Sequence, residues 1–398
     1  MSLSSPRVNI LYLNYTFYLF LIFNFINREI SNILLVVLLV LCFYTLFKNK
    51  IVLDKYDKRI ISYVVLFSLW IIIINYYHSA PTRHIDDYIR YLFMLPIYLV
   101  FVKSNNNITI LKFVLKICAL CVVGHYLYSH NFLEFNRYTG TSSISISYAY
   151  IVGMIALISF YILLEDHKKN TYDYFLAIST IILFYICFLL ESKGIFLSLT
   201  ICLLIMIFFN RHYNKGKLIL FVGIILVTFF NTTLIDRFSM MYKFLDLYLS
   251  NNPNVSTKVI YRIDESTYTR LKMLEYGIDT VKINPIAGIG ANKLEEDLFS
   301  KFKEYDTKTT ITFDHLHNDL IDIPAKFGLP ALLLILLIYY SLMSKFIITR
   351  NRIGYLILLY FILSQLTQSH YAHNQPIVFT ICFLYFLNGY NFFKRKIE

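Results

Sequence analysis

A short polar segment, Asp314–Asp319, carries the residue types best suited to chemistry. It contains His315 and His317, and nine residues separate Asn318 from Gly328, where an apolar stretch begins. An imidazole with an ordinary pKa near about 6.5 is largely neutral at pH 7 and can accept a proton. The two histidines with flanking carboxylates can instead chelate a metal ion, or His317 and Asn318 can cap a helix. The residues alone leave these three interpretations open.

Cationic side chains stand in other polar segments between apolar runs. The candidates are Arg83, Arg90, Arg137, Lys193 and Arg270. A guanidinium binds phosphate oxygens in a bidentate manner and stays charged, whereas lysine supplies a point charge. Each also has a simpler interpretation: Arg270 as a solvated loop charge, Arg137 as a lipid-headgroup contact, and Arg83 and Arg90 as cations neutralised by Asp86 and Asp87.

The composition shows what kind of protein must hold these residues. The chain has 398 residues, of which 57% are hydrophobic and only 16% are charged. Soluble proteins carry about a quarter charged residues, and their interiors cannot bury such an apolar excess. The composition therefore excludes a soluble enzyme and a disordered chain. The net charge of +12 does not indicate nucleic-acid binding, because the cations cluster between apolar runs, where they set orientation.

About twelve apolar runs approach the 20 residues that a membrane-spanning helix needs. They lie near 8–26, 30–47, 59–77, 90–103, 108–127, 144–164, 173–190, 194–210, 217–235, 327–345, 352–368 and 375–393. The fourth and eighth runs are short, so we expect them to be tilted, broken or partly re-entrant. The six cysteines lie in or beside these runs without a zinc-type spacing, and we interpret them as packing residues.

The distribution of cations predicts the orientation in the membrane. One alternating set of connections, together with the C-terminal tail, holds most of the lysines and arginines, and such segments face the cytoplasm. Both termini are therefore predicted to be cytoplasmic, with the sparsely charged connections on the periplasmic or outer side. The first apolar run has no small-x-small cleavage site, so no cleavable signal peptide is expected.

One long hydrophilic segment, 236–326, is predicted to lie outside the membrane on this topology. Within it, Thr267–Ile283 shows apolar residues at helical spacing, and the aromatic and apolar content of the loop predicts a folded helical lid. The Gly288-Ile289-Gly290 segment is interpreted as a tight turn. The expected organisation is an N-terminal bundle of about nine spans (1–235), the loop (236–326) and about three C-terminal spans (327–398).

The His317-Asn318 pair, followed by nine residues and Gly328 at the start of a span, resembles the signature of bacterial O-antigen ligases and the related O-antigen polymerases. Arg270 before Asn284-Pro285 and Gly288-Ile289-Gly290 resembles the same superfamily, as does Arg137 three residues before Gly140. The topology extends the resemblance over most of the chain. Two positions depart from the pattern. Lys193 stands where the family usually has arginine, and Ala331 stands at the position of the family's second small residue after Gly328.

The resemblance implies an all-α polytopic fold of the GT-C-like glycosyltransferase type. It also implies a metal-independent, inverting enzyme of the bacterial inner membrane, with no cofactor and its site facing the periplasm. Such an enzyme transfers a glycan from undecaprenyl diphosphate to a sugar hydroxyl of the lipid A–core. Membrane lipids are expected to surround it, while the oligomeric state and the glycan structure stay open.

The resemblance also implies roles for individual residues. His317 is expected to be the general base, and Arg270 to act in catalysis and in binding the diphosphate with Lys193 and Arg137. The supporting and acceptor-side candidates are His315, Asn318, Arg83 and Arg90. An O-antigen polymerase that joins lipid-linked repeat units is the nearest alternative, because it uses the same chemistry. A flippase for lipid-linked oligosaccharides is the third, but it would need charged residues near the bilayer midplane.

Overall fold

The computed structural model describes residues 6–49, 51–102, 108–132, 145–165, 171–190, 192–209, 223, 232–250, 263–303 and 314–388. Within these ranges the chain forms helices, turns and loops, and no strand. The helices are α1 (Pro6–Phe23), α2 (Arg28–Lys48), α3 (Lys55–Tyr77), α4 (Arg90–Phe93), α5 (Leu95–Phe101), α6 (Ile108–Phe132), α7 (Ser145–Glu165), α8 (Thr171–Leu189), α9 (Lys193–Phe209), α10 (Thr232–Leu249), α11 (Glu265–Ile283), α12 (Ala291–Lys303), α13 (Asp319–Phe327), α14 (Leu329–Ile348), α15 (Arg352–Gln365) and α16 (Asn374–Leu387). Two short 3₁₀ turns, Thr82–His84 and His370–Ala372, complete the described structure.

Five of these helices, α2, α3, α6, α7 and α14, are long and apolar enough to cross a membrane. Shorter apolar helices form parts of α1, α8 and α9 and the whole of α15 and α16. The described part of the chain is therefore all-helical and consistent with a polytopic membrane protein, which the composition predicted. The predicted span at 217–235 lies almost entirely outside the described residues. The fourth predicted span is broken, because α4 ends at Phe93 and Pro96 occupies the first turn of α5.

Local sequence signals set where several helices begin. The Asn27 side chain accepts hydrogen bonds from the backbone of Glu29 and Ile30 at the start of α2. Asp54 and Asp57 form a reciprocal capping box at the start of α3. Such caps satisfy backbone N–H groups that have no partner within the helix. The four-residue link between α1 and α2 then makes these helices antiparallel neighbours.

Helix α7 is the centre of the bundle, and most of its side chains are buried inside the protein. It packs against α6, α8, α9, α15 and α16, while α3 lies along α14 and α1 along α2. Aromatic side chains fill much of the core. Phe17 stacks on Phe386 with ring centroids 4.0 Å apart, and Tyr150 stacks on Tyr360 at 5.1 Å. These contacts join helices that are distant in sequence.

The outer surface of the bundle is apolar. On α2, the side chains of Ile33, Val36 and Val40 are exposed at helical spacing. An apolar stripe of this kind is unfavourable in water but matches the hydrocarbon interior of a bilayer. The surface therefore agrees with a helix that faces lipid on one side and its neighbours on the other.

A buried ion pair joins α3 to α14 at the end of the bundle away from α13. Lys345 donates to Asp57, and the Tyr98 hydroxyl donates to the same carboxylate at 2.5 Å. Lys345 lies in the last turn of α14, and its side chain is only 6% exposed.

Helices α11, α12 and α13 form a small unit with its own apolar core. Its buried members are Met273, Leu294, Leu298, Leu316 and Ala325. Helix α11 covers the stretch Thr267–Ile283 that the sequence predicted to be helical. The described part of the predicted loop is therefore folded. Helix α10 crosses the predicted boundary between the ninth span and this loop.

Glycines hold the connection between α11 and α12 against α13 and the start of α14. Gly288 and Gly290 have φ angles of 63° and 84°, and the N–H of Gly290 donates to the Lys326 carbonyl at 3.1 Å. Gly328 also has a positive φ, and the next N–H, of Leu329, donates to the Pro285 carbonyl at 2.7 Å. The predicted tight turn at 288–290 is confirmed, and it fixes the junction between α13 and α14.

Candidate functional site

Helix α13 is the scaffold of a buried polar cluster at one end of the bundle. Asp319, in its first turn, is fully buried and accepts hydrogen bonds from the N–H groups of His370 at 2.8 Å and Tyr371 at 3.4 Å. Burial, together with the nearby charge of Asp322, raises the pKa of Asp319 well above its usual value. Asp319 therefore ties the turn between α15 and α16 to the start of α13.

Asp322, one helical turn later, fixes the loop that carries the histidines. Its carboxylate accepts from the Leu316 N–H at 2.9 Å and from the Tyr88 hydroxyl at 2.9 Å, and it pairs with Lys326 at 2.8 Å. Asp322 and Lys326 are four residues apart, which places them on the same face of the helix. The backbone between His315 and His317 is thus held directly by α13.

The two histidines are brought together because the 314–318 segment is a loop. His317 has a φ of 53°, a left-handed conformation that is uncommon for a residue with a side chain and often marks a functional site. The rings of His315 and His317 lie 4.4 Å apart, with His315 Nε2 3.2 Å from His317 Nδ1. Asp314 Oδ1 lies 2.5 Å from His315 Nδ1, and the His373 ring is 5.3 Å from that of His315.

Asn318 caps the start of α13, a role for which the sequence offered both His317 and Asn318. Its side chain accepts from the Leu320 N–H at 3.0 Å and donates to the Leu366 carbonyl at 3.0 Å. Capping of α13 therefore belongs to Asn318, and His317 does not need to perform it.

Among the residues that the structure describes, no group of three or more His, Cys, Asp or Glu side chains is arranged to hold a metal ion.

The electrostatic surroundings keep His317 neutral. Burial lowers its pKa well below the usual value, and the neighbouring His315, Arg270 and His373 lower it further. The charge of Asp314 acts in the opposite direction but is the smaller effect. At pH 7 the ring therefore retains one nitrogen lone pair, which is the form that a proton acceptor requires. Arg270, on α11, is close enough to His317 to take part in this balance.

Lys193 lies at the start of α9 and is bound to the beginning of α11. Its Nζ is 2.5 Å from Asp264 Oδ2 and 3.4 Å from Thr267 Oγ1. Asp264 is also the N-cap of α11, where it accepts from the Thr267 N–H. Lys193 is thus paired with a carboxylate, and the same helix carries Arg270 one turn later. The structure brings Lys193, Arg270 and His317 to one end of the bundle.

The remaining cations divide into three cases. Arg90 is buried and pairs with Asp86 at 2.6 Å and Asp87 at 2.5 Å, as the sequence interpretation expected. For Arg83 that interpretation is wrong: its exposed side chain reaches Glu295 of α12, at 3.5 Å. The third case, Arg137, lies outside the described residues.

Several contacts at this end of the bundle were missed in the sequence. Asp264 as the partner of Lys193, and Asp314 as the partner of His315, involve loop geometry that no spacing rule reveals. Asp322 and Lys326 could have been found, because their four-residue spacing within a helix places opposite charges together. The burial of the Asp322–Lys326 pair could not have been predicted, because it depends on Tyr88, which lies in a loop distant in the sequence.

Residues 178–336 match a family model described as O-Antigen ligase. The match spans less than half of the chain, but it includes Lys193, Arg270, the two loop histidines and Gly328. No curated protein matches the chain. The resemblance drawn from the sequence motif is confirmed by this match. Residues 178–336 are therefore similar to the O-antigen ligase family.

Proposed function

We propose that this protein is a membrane glycosyltransferase that moves O-polysaccharide from undecaprenyl diphosphate to a sugar hydroxyl of the lipid A–core. The observation that carries the proposal is that the segment matching O-antigen ligase places His317 in a left-handed loop conformation near Arg270, where burial lowers the pKa of its ring. A diphosphate is already a good leaving group, so the reaction needs little acid catalysis. It needs a base for the acceptor hydroxyl and positive charge beside the departing diphosphate.

The site residues have complementary roles in this proposal. His317 removes the proton from the acceptor hydroxyl, and Arg270 binds the diphosphate oxygens. Lys193 adds positive charge but also holds the start of α11 through Asp264. It therefore acts on the position of Arg270 as well as on the substrate. A single displacement without metal or cofactor inverts the configuration at the sugar carbon that is attacked.

The proposed membrane arrangement has twelve spans in a GT-C-like fold. The ten apolar helices, the broken α4–α5 pair and the predicted span at 217–235 together make this number. Both termini face the cytoplasm of a bacterial inner membrane, and the site faces the periplasm. In support, the loop regions 78–90, 314–318 and 366–374 meet at one end of the bundle, as this topology requires. Segments 1–235, 236–326 and 327–398 are proposed to be the N-terminal bundle, the periplasmic loop and the C-terminal spans.

The two alternatives differ in what they would require. A polymerase would use the same residues with a second lipid-linked repeat as the acceptor. A flippase needs charges near the bilayer midplane. In the described apolar helices the charged residues lie toward the helix ends, as in the Asp57–Lys345 pair, and Lys116 of α6 is the one furthest from an end. This distribution favours a transferase over a flippase.

The test is a lipopolysaccharide gel of a strain that lacks the gene, with the undecaprenyl-linked glycans analysed in parallel. Bare lipid A–core with accumulated lipid-linked polymer supports the ligase. Core capped by a single repeat unit supports the polymerase instead. A normal ladder in the deleted strain would contradict both activities.

Variants expressed in the deleted strain then test the site. His317→Ala and Arg270→Ala are expected to leave the ladder absent at normal protein levels. Lys282→Ala is the matched control, because it removes an exposed cation from the same helix as Arg270 and should restore the ladder. Normal ladders from both site variants would refute the assignment of these residues.

A further inference from the structure

We infer that Asp314 and His315 are positioning residues that hold His317 in the tautomer whose Nε2 accepts the proton. This inference rests on the proposed role of His317 as the general base. It concerns two residues that the proposed reaction does not itself use. The observations that carry it are the consecutive contacts from Asp314 through His315 to His317 and the strained backbone of His317.

With His315 in its neutral form, the order of the hydrogen bonds determines the tautomer of His317. Although partial burial acts to raise it, the hydrogen bond with His315 lowers the pKa of Asp314, so its carboxylate is ionised and can only accept. His315 must therefore donate from Nδ1, which leaves a lone pair on its Nε2. That lone pair accepts from His317 Nδ1, 3.2 Å away. A neutral imidazole has one N–H, so Nε2 of His317 carries the lone pair.

The backbone keeps this arrangement from rearranging. The Leu316 N–H, between the two histidines, donates to the buried carboxylate of Asp322 at 2.9 Å. The His315 side chain is only 10% exposed, while that of Asp314 is 58% exposed. The middle ring is thus enclosed by protein, and only the outer carboxylate faces solvent. The positive φ of His317 turns its ring toward His315. Regular helical backbone would direct the two rings to different sides.

The proposed step balances without any further reactant. The acceptor O–H bond breaks, and its proton moves to His317 Nε2. The acceptor oxygen forms a bond to the sugar carbon, and the bond from that carbon to the diphosphate oxygen breaks with its electron pair on the diphosphate. The His317 imidazolium keeps its Nδ1–H bond to His315, and the charge of Asp314 stabilises it through His315. The proton leaves Nε2 for water after the product departs.

The charged and titratable groups around His317 set the expected pH dependence. His315, Arg270 and His373 lower its pKa, and Asp314 is the carboxylate that raises it. Removal of the Asp314 charge must therefore lower the pKa of His317 further. The acidic limb of the pH profile should then move to lower pH. A residue that only supported the fold would reduce the amount of active protein without moving this limb.

The experiment uses the full-length protein in liposomes with an undecaprenyl-diphosphate-linked glycan as donor. Each of the two acceptors, lipid A–core and a lipid-linked repeat, is supplied in turn. Asp314→Asn is expected to reduce kcat by about 100-fold with KM changed by less than about twofold, since its amide can donate to His315 and so impose the wrong tautomer. Asp314→Ala, which cannot donate, should lose less. Asp279→Asn is the matched control on the exposed face of α11 and should behave as wild type.

Substitutions of His315 test whether the lost activity can be rescued by another hydrogen-bond acceptor. His315→Ala should reduce kcat by about 10- to 100-fold. His315→Gln should recover most of this loss, because the glutamine oxygen can accept the Nδ1–H of His317. Equal losses for Ala and Gln, or an Asp314→Asn variant with the kcat and pH limb of the control, would overturn the inference while leaving the proposed function intact.

A spectroscopic arm does not depend on activity. In protein with ¹⁵N-labelled histidine, the His317 signals, identified by their loss in His317→Gln, should show a protonated Nδ1 and an unprotonated Nε2. Asp314→Asn should exchange the two. A wild-type protein with Nε2 protonated would overturn the inference. Wild-type protein that transfers to neither acceptor would refute the proposed function, whatever the tautomer.

Discussion

The most informative single change is Gly328→Ala, at the junction of α13 and α14. Gly328 has φ 82° and ψ 166°, a region that essentially only glycine occupies. A Cβ placed there would lie 1.7 Å from the Ile286 carbonyl oxygen. The obstacle is backbone and not the end of a flexible side chain, so the two chain segments must separate.

The cost of that separation can be worked out from the contacts it breaks. The disfavoured backbone conformation costs about 1–3 kcal/mol. Loss of the hydrogen bonds from Leu329 to Pro285 and from Gly290 to Lys326 adds about 1 kcal/mol each. The expected destabilisation of the junction is therefore about 3–5 kcal/mol. Since α13 holds the histidine loop through Asp322, activity should fall together with stability.

The measurement is thermal unfolding of the purified protein, with the lipopolysaccharide ladder as the functional readout. Gly124→Ala is the matched control, because a Cβ at that position of α6 meets nothing within 4 Å. Replacing a helical glycine by alanine is favourable by about 1 kcal/mol, so the control should unfold at or above the wild-type temperature. A Gly328→Ala protein with wild-type unfolding and ladder would refute the reasoning.

Three further predictions concern charge. Asp322→Asn should destabilise the protein by about 3–5 kcal/mol, because it leaves a buried lysine without its carboxylate; thermal unfolding against the Asp279→Asn control checks this. In the proposed reaction the neutral form of His317 is the active one, and its pKa is lowered, so activity should be lost only as pH falls well below 6.5. A pH–rate profile with its acidic limb at or above 6.5 would contradict this. Lys193→Ala should reduce ladder formation more than Lys193→Arg does, because arginine can still pair with Asp264.

Much of the fold could be predicted because its signals are local. Apolar runs of membrane-spanning length gave most of the helices, and the apolar spacing in Thr267–Ile283 predicted α11. His317 and Asn318 lie in a loop, and Gly328 lies at the start of a helix. A short sequence motif can be recognised at such positions. These features depend on residues close together in the chain.

The missed contacts depend on long-range packing or on unusual backbone conformation. Asp57 and Lys345 are 288 positions apart, and Arg83 meets Glu295 across 212. No periodic pattern in the sequence predicts a contact between residues so far apart in the chain. The contact of His315 with His317 depends on the positive φ of His317, since a helix would have directed the two rings to different sides. Interactions of this kind become visible only when the tertiary structure is known.

The buried Asp57–Lys345 pair has a consequence for the assembly of the protein during synthesis. Asp57 enters the membrane with α3, long before α14 has left the ribosome. A buried charge that lacks its ion-pair partner costs about 3–5 kcal/mol. Until Lys345 arrives, the Asp57 carboxylate, in the first turn of α3, must therefore stay in contact with water or become protonated. The packing of α3 against α14 is thus completed only after the C-terminal helices have been inserted.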